Sequence, residues 1–380
     1  MYNEHLTTIQ VRLKANKQQS SMLQQHFGST RFIWNYMLAY MLRDNKWYSY
    51  EHIANILPEL KKTDDYKWLK DVNSQALQQT LKKLSLSVRS YFRNKNKGIK
   101  TGTPRFRSRK DNNDYFISPQ HNILVGNKLT LPKIGTVTIS HIPDTIMDIL
   151  ELKQVIVKRD IKGNYYASLI CRVLEIKKDT IDSTIGIDVN TSNLLTDSNG
   201  KMVQSLYKIP KIKKIYTRII KAQQLLSCKI KGSKSFKALR LLIAKLWYKI
   251  TLIKKDVIHK VSDKYSRYKW IKMEKLNIKK MSKNTSGTVD NPNIDSVKKS
   301  RLNRVMLSNN WYSLMLHIKY KAERLGNHLL LIDPAYTSQT CSKCGYVSKD
   351  NRLTQSKFKC KKCGFELNAD HNAALNILVA

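Results

Sequence analysis

Acidic residues are scarce in this chain. Asp and Glu number 28 in 380 residues, against 69 Lys and Arg, which leaves a formal net charge of +41. A surface so short of negative charge repels itself and excludes cationic partners. A polyanion relieves the repulsion. Nucleic acid is the expected partner, with an anionic membrane surface as the alternative. Long apolar runs are missing too. The greasiest stretch, LRLLIAKLWYKITLIKK, is cut by Lys245 and Lys249, so no clean membrane span is expected. The opening MYNEHLTTIQVRLK has no apolar signal-peptide core,. Six cysteines in a chain of this length do not make a secreted disulfide scaffold,. The expected location is a reducing cytoplasm. Cys171 and Cys228 stand alone and read as ordinary apolar-side residues. None of the nine histidines forms a His-apolar-His pair, which argues against a relaxase-type transposase with a tyrosine nucleophile.

The length predicts two or three domains. Residues 5–14 alternate like a strand. From Lys17 to Arg43 apolar residues recur at helical spacing (Met22, Leu23, Phe27, Phe32, Ile33, Tyr36, Met37). Further helices are expected near 50–61 and from Asn73, where Leu77, Leu81, Leu84 and Val88 mark one face,. The segment 94–110, NKNKGIKTGTPRFRSRK, has no acid and reads as a loop suited to phosphates,. Between 115 and 175 short alternating runs predict antiparallel strands, which with 5–14 would form one β-barrel holding the helical block as an insertion. STIGIDVN, from 183, is a buried-strand pattern ending in an acid. Residues 207–260 predict a pair of basic amphipathic helices, fitted to nucleic acid or, alternatively, to a membrane surface. KWIKMEKL (269–276) is another strand ending in an acid, 283–295 a polar loop, 297–325 a helix, and NHLLLIDPAY a third strand.

Two CxxC pairs, Cys341/Cys344 and Cys360/Cys363, stand fifteen residues apart, and each is followed by a glycine, Gly345 or Gly364. Four thiolates at this spacing point to a closed, structural Zn²⁺ ribbon. Lys343, Lys361 and Lys362 would help keep the thiolates charged. Acids on apolar strands need a reason in a chain so short of them. Asp188 follows STIGI and Glu274 follows WIKM. Asp370 opens DHNAALNI at a helix start, where it would also serve as a cap. Each has an ordinary structural explanation alone. Three carboxylates together would hold two Mg²⁺ about 3.5–4 Å apart, a device for phosphodiester hydrolysis.

The series GIDVN, KWIKMEKLN, DPAYTSQTCSKCG and CKKCGFELNADHNAALNI resembles, in that order, the TnpB (OrfB) family of bacterial insertion sequences, RNA-guided DNA nucleases related to type V CRISPR effectors. STRFIWNYMLAY, GTPRFRSRK and GNYYASLI extend the resemblance over nearly the whole chain. It implies an α+β multidomain fold. A wedge-like β-barrel (1–15 and 103–178) would carry an inserted helical recognition domain (16–102). An RNase H-like (RuvC) nuclease (179–337 and 367–380) would carry an inserted zinc ribbon (338–366). It further implies Asp188, Glu274 and Asp370 as a Mg²⁺-dependent catalytic triad. The implied partners are a guide RNA from the element's end and double-stranded target DNA beside a short adjacent motif. No membrane partner is implied, and a monomer is expected. Arg31, Trp34, Asn35 and Gln75 would face the DNA duplex. Asn190 and Lys275 depart from common family residues, with the three acids intact. The competing readings are a nuclease-inactive RNA-guided repressor and a transposase acting by strand transfer.

Overall fold

The structure, a computed structural model, describes residues 2–109, 114–144, 146–176, 178–276, 294–333, 335–352, 354 and 356–380. The chain divides into two compact units, Met1–Lys177 and Lys178–Ala380.

The first unit holds β1 (Tyr2–Lys14), α1 (Lys17–Arg43), α2 (Tyr50–Leu60), α3 (Ser74–Asn96), β2 (Tyr115–Ser118), β3 (Ile123–Val125), β4 (Lys128–Leu131), β5 (Gly135–Ile139), β6 (Ile146–Arg159) and β7 (Tyr165–Ile176). The strands form one antiparallel sheet in the order β2-β6-β7-β1-β5-β4-β3. The first strand pairs with the last, from Tyr2 against Ile176 to Leu13 against Tyr165, and its end turns onto β5. The sheet is curled, and one apolar cluster gathers side chains from β1, β2, β4, β5, β6 and β7. Among the described residues its hydrogen-bonded order ends at β2 and β3 and does not close.

Asn16 starts α1 with a reciprocal cap: its side chain accepts from the Gln19 N–H at 2.8 Å, and its own N–H donates to Gln19 Oε1 at 3.0 Å,. α1 serves two cores. Leu23 and Phe27 pack into the sheet cluster. Ile33, Met37, Leu38 and Met41 pack with Leu57, Leu77, Leu81 and Leu84 of the other helices. The expected apolar stripes are therefore core, as helical periodicity requires.

The second unit holds β8 (Ile181–Asp188), β9 (Asn193–Asp197), β10 (Met202–Gln204), α4 (Pro210–Ser227), α5 (Lys234–Tyr265), β11 (Tyr268–Glu274), α6 (Ile294–Asn309), α7 (Trp311–Arg324), β12 (His328–Ile332), β13 (Lys357–Lys359), β14 (Glu366–Asn368) and α8 (Ala369–Val379). Five strands make a mixed sheet in the order β10-β9-β8-β11-β12. β8, β11 and β12 run parallel, β9 runs antiparallel to β8, and β10 runs antiparallel to β9. β13 and β14 form a separate two-stranded ribbon.

The single helix expected over 297–325 is in fact two. Asn310 takes left-handed backbone (φ 53°) and separates α6 from α7. The buried Asn309 side chain fixes the break, accepting from Ser205 Oγ at 2.7 Å and from the Leu206 N–H at 3.1 Å. The polar loop expected over 283–295 lies outside the described residues as far as 293. Cys171 is buried as expected, but Cys228 is exposed at the end of α4. Among the described residues no helix is long and apolar enough to cross a membrane.

Candidate active site

Parallel pairing sets the first two acids side by side. β8 and β11 are in register at Ile187 against Met273. The next residue on each strand is an acid, Asp188 and Glu274, and each closes its strand. Apolar side chains such as Ile185, Ile187, Ile271 and Met273 anchor both strands in the core, so the carboxylates are delivered at the sheet's carboxyl end.

Asp370 arrives on α8, which lies against β8 because Gly186 leaves room. A Cβ there would stand 2.3 Å from the Ala374 carbonyl oxygen and 2.7 Å from the Leu378 nitrogen. Asp370 is not the helix cap. Asn368 is, accepting from the N–H groups of Asp370 at 3.0 Å and His371 at 3.2 Å. The Asp370 carboxylate is thereby released from capping, yet it is only 5% exposed.

All three carboxyls are raised by burial, and Asp188 is raised further by the charges of the other two. Burial pushes the Asp188 carboxyl up to about 7, and the charges of Glu274 and Asp370 push the same way, against a hydrogen bond from Asn190 and the charge of Arg352,. Asn190 Nδ2 donates to Asp188 at 3.0 Å. Burial also raises Glu274, opposed by Thr337, whose hydroxyl donates to Oε1 at 2.6 Å. Burial raises Asp370, opposed by Arg352, whose guanidinium lies 3.5 Å from Oδ1. Carboxylate oxygens held in such burial are hard donors of the kind a divalent cation takes. They are spread more widely than the thiols described next: among the described residues, only the four cysteines bring three or more ligating atoms within 4.8 Å of one another.

In the cysteine cluster, Cys341 Sγ lies 3.7 Å from Cys363 Sγ, and Cys344 Sγ 3.6 Å from Cys360 Sγ. A tetrahedron of ~2.3 Å metal–sulfur bonds has edges of about 3.8 Å, so the thiols are already spaced to hold a metal ion. The two halves are built alike. Gly345 (φ 74°) and Gly364 (φ 72°) return N–H groups to the carbonyls of Cys341 and Cys360 at 2.9 and 3.0 Å. These left-handed turns explain the glycine after each pair.

The cluster is tied to the acids by contacts that sequence patterns did not single out. Asn372 and Asn376 stand one turn apart on α8. The Asn372 amide donates to the Thr340 carbonyl and accepts from the Ser342 N–H. Asn376 Nδ2 donates to the carbonyls of Thr337 and Thr340. Thr337 in turn holds Glu274, and Arg352, paired with Phe358 in the ribbon, meets Asp370. Two asparagines spaced i,i+4 inside a helix are unfavourable by propensity, and that was the one signal in the sequence that pointed to them.

The four residues expected to face DNA are engaged within their own unit. Trp34 is buried, and its Nε1–H donates to the Arg105 carbonyl at 2.9 Å. Asn35 exchanges two hydrogen bonds with the Arg107 backbone, and the Arg107 guanidinium lies 3.6 Å from the Trp34 ring centre. Arg31 is ion-paired with Asp114 at 2.6 Å, and Gln75 donates to Gln120 at 3.0 Å. Trp34 and Asn35 therefore hold the basic segment around 105–107 in place, because their polar atoms are already satisfied there.

Comparison with known proteins bears on the family of the chain. Residues 168–285 match the OrfB_IS605 family model, described as "Probable transposase", 1–50 the associated "Helix-turn-helix domain", and 311–377 a "Cas12f1-like, TNB domain". The chain is 33% identical over 385 residues to the "Putative RNA-guided DNA endonuclease InsQ" of Escherichia coli (strain K12), covering 99% of this chain and 92% of that one. A "Putative RNA-guided DNA endonuclease" of Streptomyces pristinaespiralis is 28% identical over 373 residues, covering 96% of this chain and 86% of that one. In overall fold the chain is similar to the cryo-EM structure of a Cas12f1-sgRNA-target DNA complex, with a TM-score of 0.50 at 15% identity over 99% of this chain and 98% of that one. With one relative aligned along nearly its whole length and the matching models in order, the chain belongs to the TnpB (OrfB) family of insertion-sequence proteins.

Proposed function

We propose that this chain is an RNA-guided DNA endonuclease of an insertion sequence, and that Asp188, Glu274 and Asp370 form its Mg²⁺-binding hydrolytic site. The carrying observation is the in-register end of β8 and β11, with the Asp188 carboxyl raised by burial and by the charges of Glu274 and Asp370. In a chain of +41, gathered acids serve a purpose that scattered acids do not. Mg²⁺ held there would supply Lewis acidity and an activated water for phosphodiester hydrolysis.

The protein's own residues do the rest. Asn190 and Thr337 orient the Asp188 and Glu274 carboxylates through single hydrogen bonds. Arg352 adds a fixed positive charge beside Asp370, suited to a phosphate oxygen,. Zn²⁺ on Cys341, Cys344, Cys360 and Cys363 would clamp the ribbon that carries Arg352,. We assign the curled sheet to a wedge-like barrel (1–15, 103–178) and residues 16–102 to target recognition. Residues 179–337 and 367–380 are assigned to a RuvC-like nuclease, with 338–366 as its ribbon. The protein would act as a cytoplasmic monomer, with a guide RNA reading the target and the protein reading a short adjacent motif.

The test is to purify the chain with RNA transcribed from its native flanking DNA and offer it a guide-matched plasmid library with randomised flanks in Mg²⁺. Guide-dependent double-strand breaks that vanish in Asp188→Ala are expected. RNA-dependent binding without cutting by either protein would remove the catalytic claim and leave a repressor.

A further inference from the structure

One apolar groove, lined by none of the three acids, lies where α4, α5 and α6 meet. Its volume is about 460 Å³, within the range of small-ligand sites. Ile220 and Leu307 line it and are 51% and 60% exposed. Trp247, from the greasiest stretch of the sequence, is 43% exposed although it is the bulkiest side chain there. Tyr216 meets it edge-on, with ring centres 5.5 Å apart. Helical packing alone gives no reason to leave an indole and two aliphatic chains in water.

The rim decides what covers the groove. Lys254 and Arg304 line it. Burial pushes the Lys254 ammonium below its ordinary value, so an anion beside it would offset a standing cost. Between residues 208 and 255 the chain carries fifteen Lys and Arg and no acid. A second copy of the same face would meet it with like charge, and a purely apolar partner would leave the cations unanswered. An unpaired nucleotide answers both features, its base against the indole and its phosphates against the cations. The remaining polar groups favour RNA over DNA. The Tyr216 and Ser308 hydroxyls pair at 3.3 Å beside the Gln223 amide, a set able to hydrogen-bond a ribose 2′-hydroxyl and a base edge.

We propose that the groove between α4, α5 and α6 is a binding subsite for an unpaired nucleotide of RNA, stacked on Trp247 with its phosphates against Lys254 and Arg304. This deepens the guide-RNA reading above and rests on it. Cutting is not needed to test it. Full-length protein stripped of nucleic acid is titrated with a labelled single-stranded RNA 12-mer, the same sequence as DNA, and an RNA duplex, all in EDTA. Trp247→Ala is expected to weaken single-stranded RNA binding by roughly 5- to 150-fold, while Trp247→Phe keeps most of the affinity. Lys254→Gln and Arg304→Gln should each shallow the salt slope by about 0.7. With 4-thiouridine in the RNA, irradiation should crosslink Tyr216 or Trp247, which mass spectrometry maps without any variant.

Unchanged RNA affinity in Trp247→Ala with no crosslink in the groove overturns the subsite while leaving the guide-RNA reading intact. Equal losses for duplex and single strand overturn stacking. A loss confined to DNA reassigns the groove to a displaced DNA strand. Wild-type protein that binds no RNA overturns both readings together, and failed plasmid cleavage with RNA affinity intact touches only the nuclease.

Discussion

Burial, then the charges of Glu274 and Asp370, push the Asp188 carboxyl up to about 7, although Asn190 donates a hydrogen bond to it. An acid raised in the folded state opposes folding once it ionises. Without metal, stability should therefore fall as pH rises from about 4 to about 7. Asp188→Asn should abolish cleavage and yet raise the melting temperature in EDTA at pH 8, a gain on the order of 1–3 kcal/mol. A lower melting temperature would show that the carboxylate is not under strain. His259 tests the opposite sign. Burial, then the charge of the neighbouring His317 and lysines, pushes it down to about 4. Stability is therefore lost as pH falls from about 6.5 to about 4, because over that window the unfolded chain takes up a proton that the folded imidazole does not. In His259→Phe, the drop in urea midpoint between pH 7.5 and 5 should shrink, with the m-value unchanged.

Helix α8 joins three parts of the second unit. It carries Asp370, lies on Gly186 of β8, and grips the first cysteine turn through Asn372 and Asn376. Gly186→Ala must move that helix, because the added carbon meets backbone and not a yielding side chain. We expect a loss of about 2–4 kcal/mol in chemical denaturation and cleavage reduced beyond what the lost stability explains. Asn376→Ala should cost less stability but loosen the Thr337 segment that holds Glu274, and cleavage at saturating Mg²⁺ reads that difference. The cysteine ribbon makes a further prediction. One equivalent of zinc should copurify, and strong chelation should release it and lower cleavage, with recovery on adding zinc but not Mg²⁺. Cys360→Ser should mimic chelation irreversibly.

At the scale of the molecule, a charge of +41 means that any nucleic-acid complex is dominated by counterion release,. RNA affinity should fall by roughly 10³–10⁵ between 50 and 200 mM salt if some 6–10 phosphates are engaged. A flat salt response would place the excess lysine outside the binding faces. The two units divide the work differently. In the first, an indole and an amide that looked available to a ligand hold the chain around Arg105 and Arg107. In the second, α4 and α5 carry a large excess of positive charge on helices whose apolar stripe is only partly covered.

Several features were legible without coordinates because local rules produce them. The helical stripes of α1 and α3, the acids closing β8 and β11, and the paired cysteines with their turn glycines each depend on spacing within one element. The break at Asn310 was not legible, since it rests on Asn309 reaching Ser205 and Leu206 about a hundred residues away. Nor was the cap of α8: Asp370 and Asn368 are both competent caps by type, and only the fold gave the role to Asn368. Thr337, Arg352 and the two asparagines of α8 acquire meaning only when the ribbon lies beside β11. Sequence determined which groups this protein possesses and how each element orders them, because periodicity and turn chemistry act over a few residues. Tertiary structure decided which of those groups meet, because a hydrogen bond or a charge interaction depends on distance in space and not along the chain.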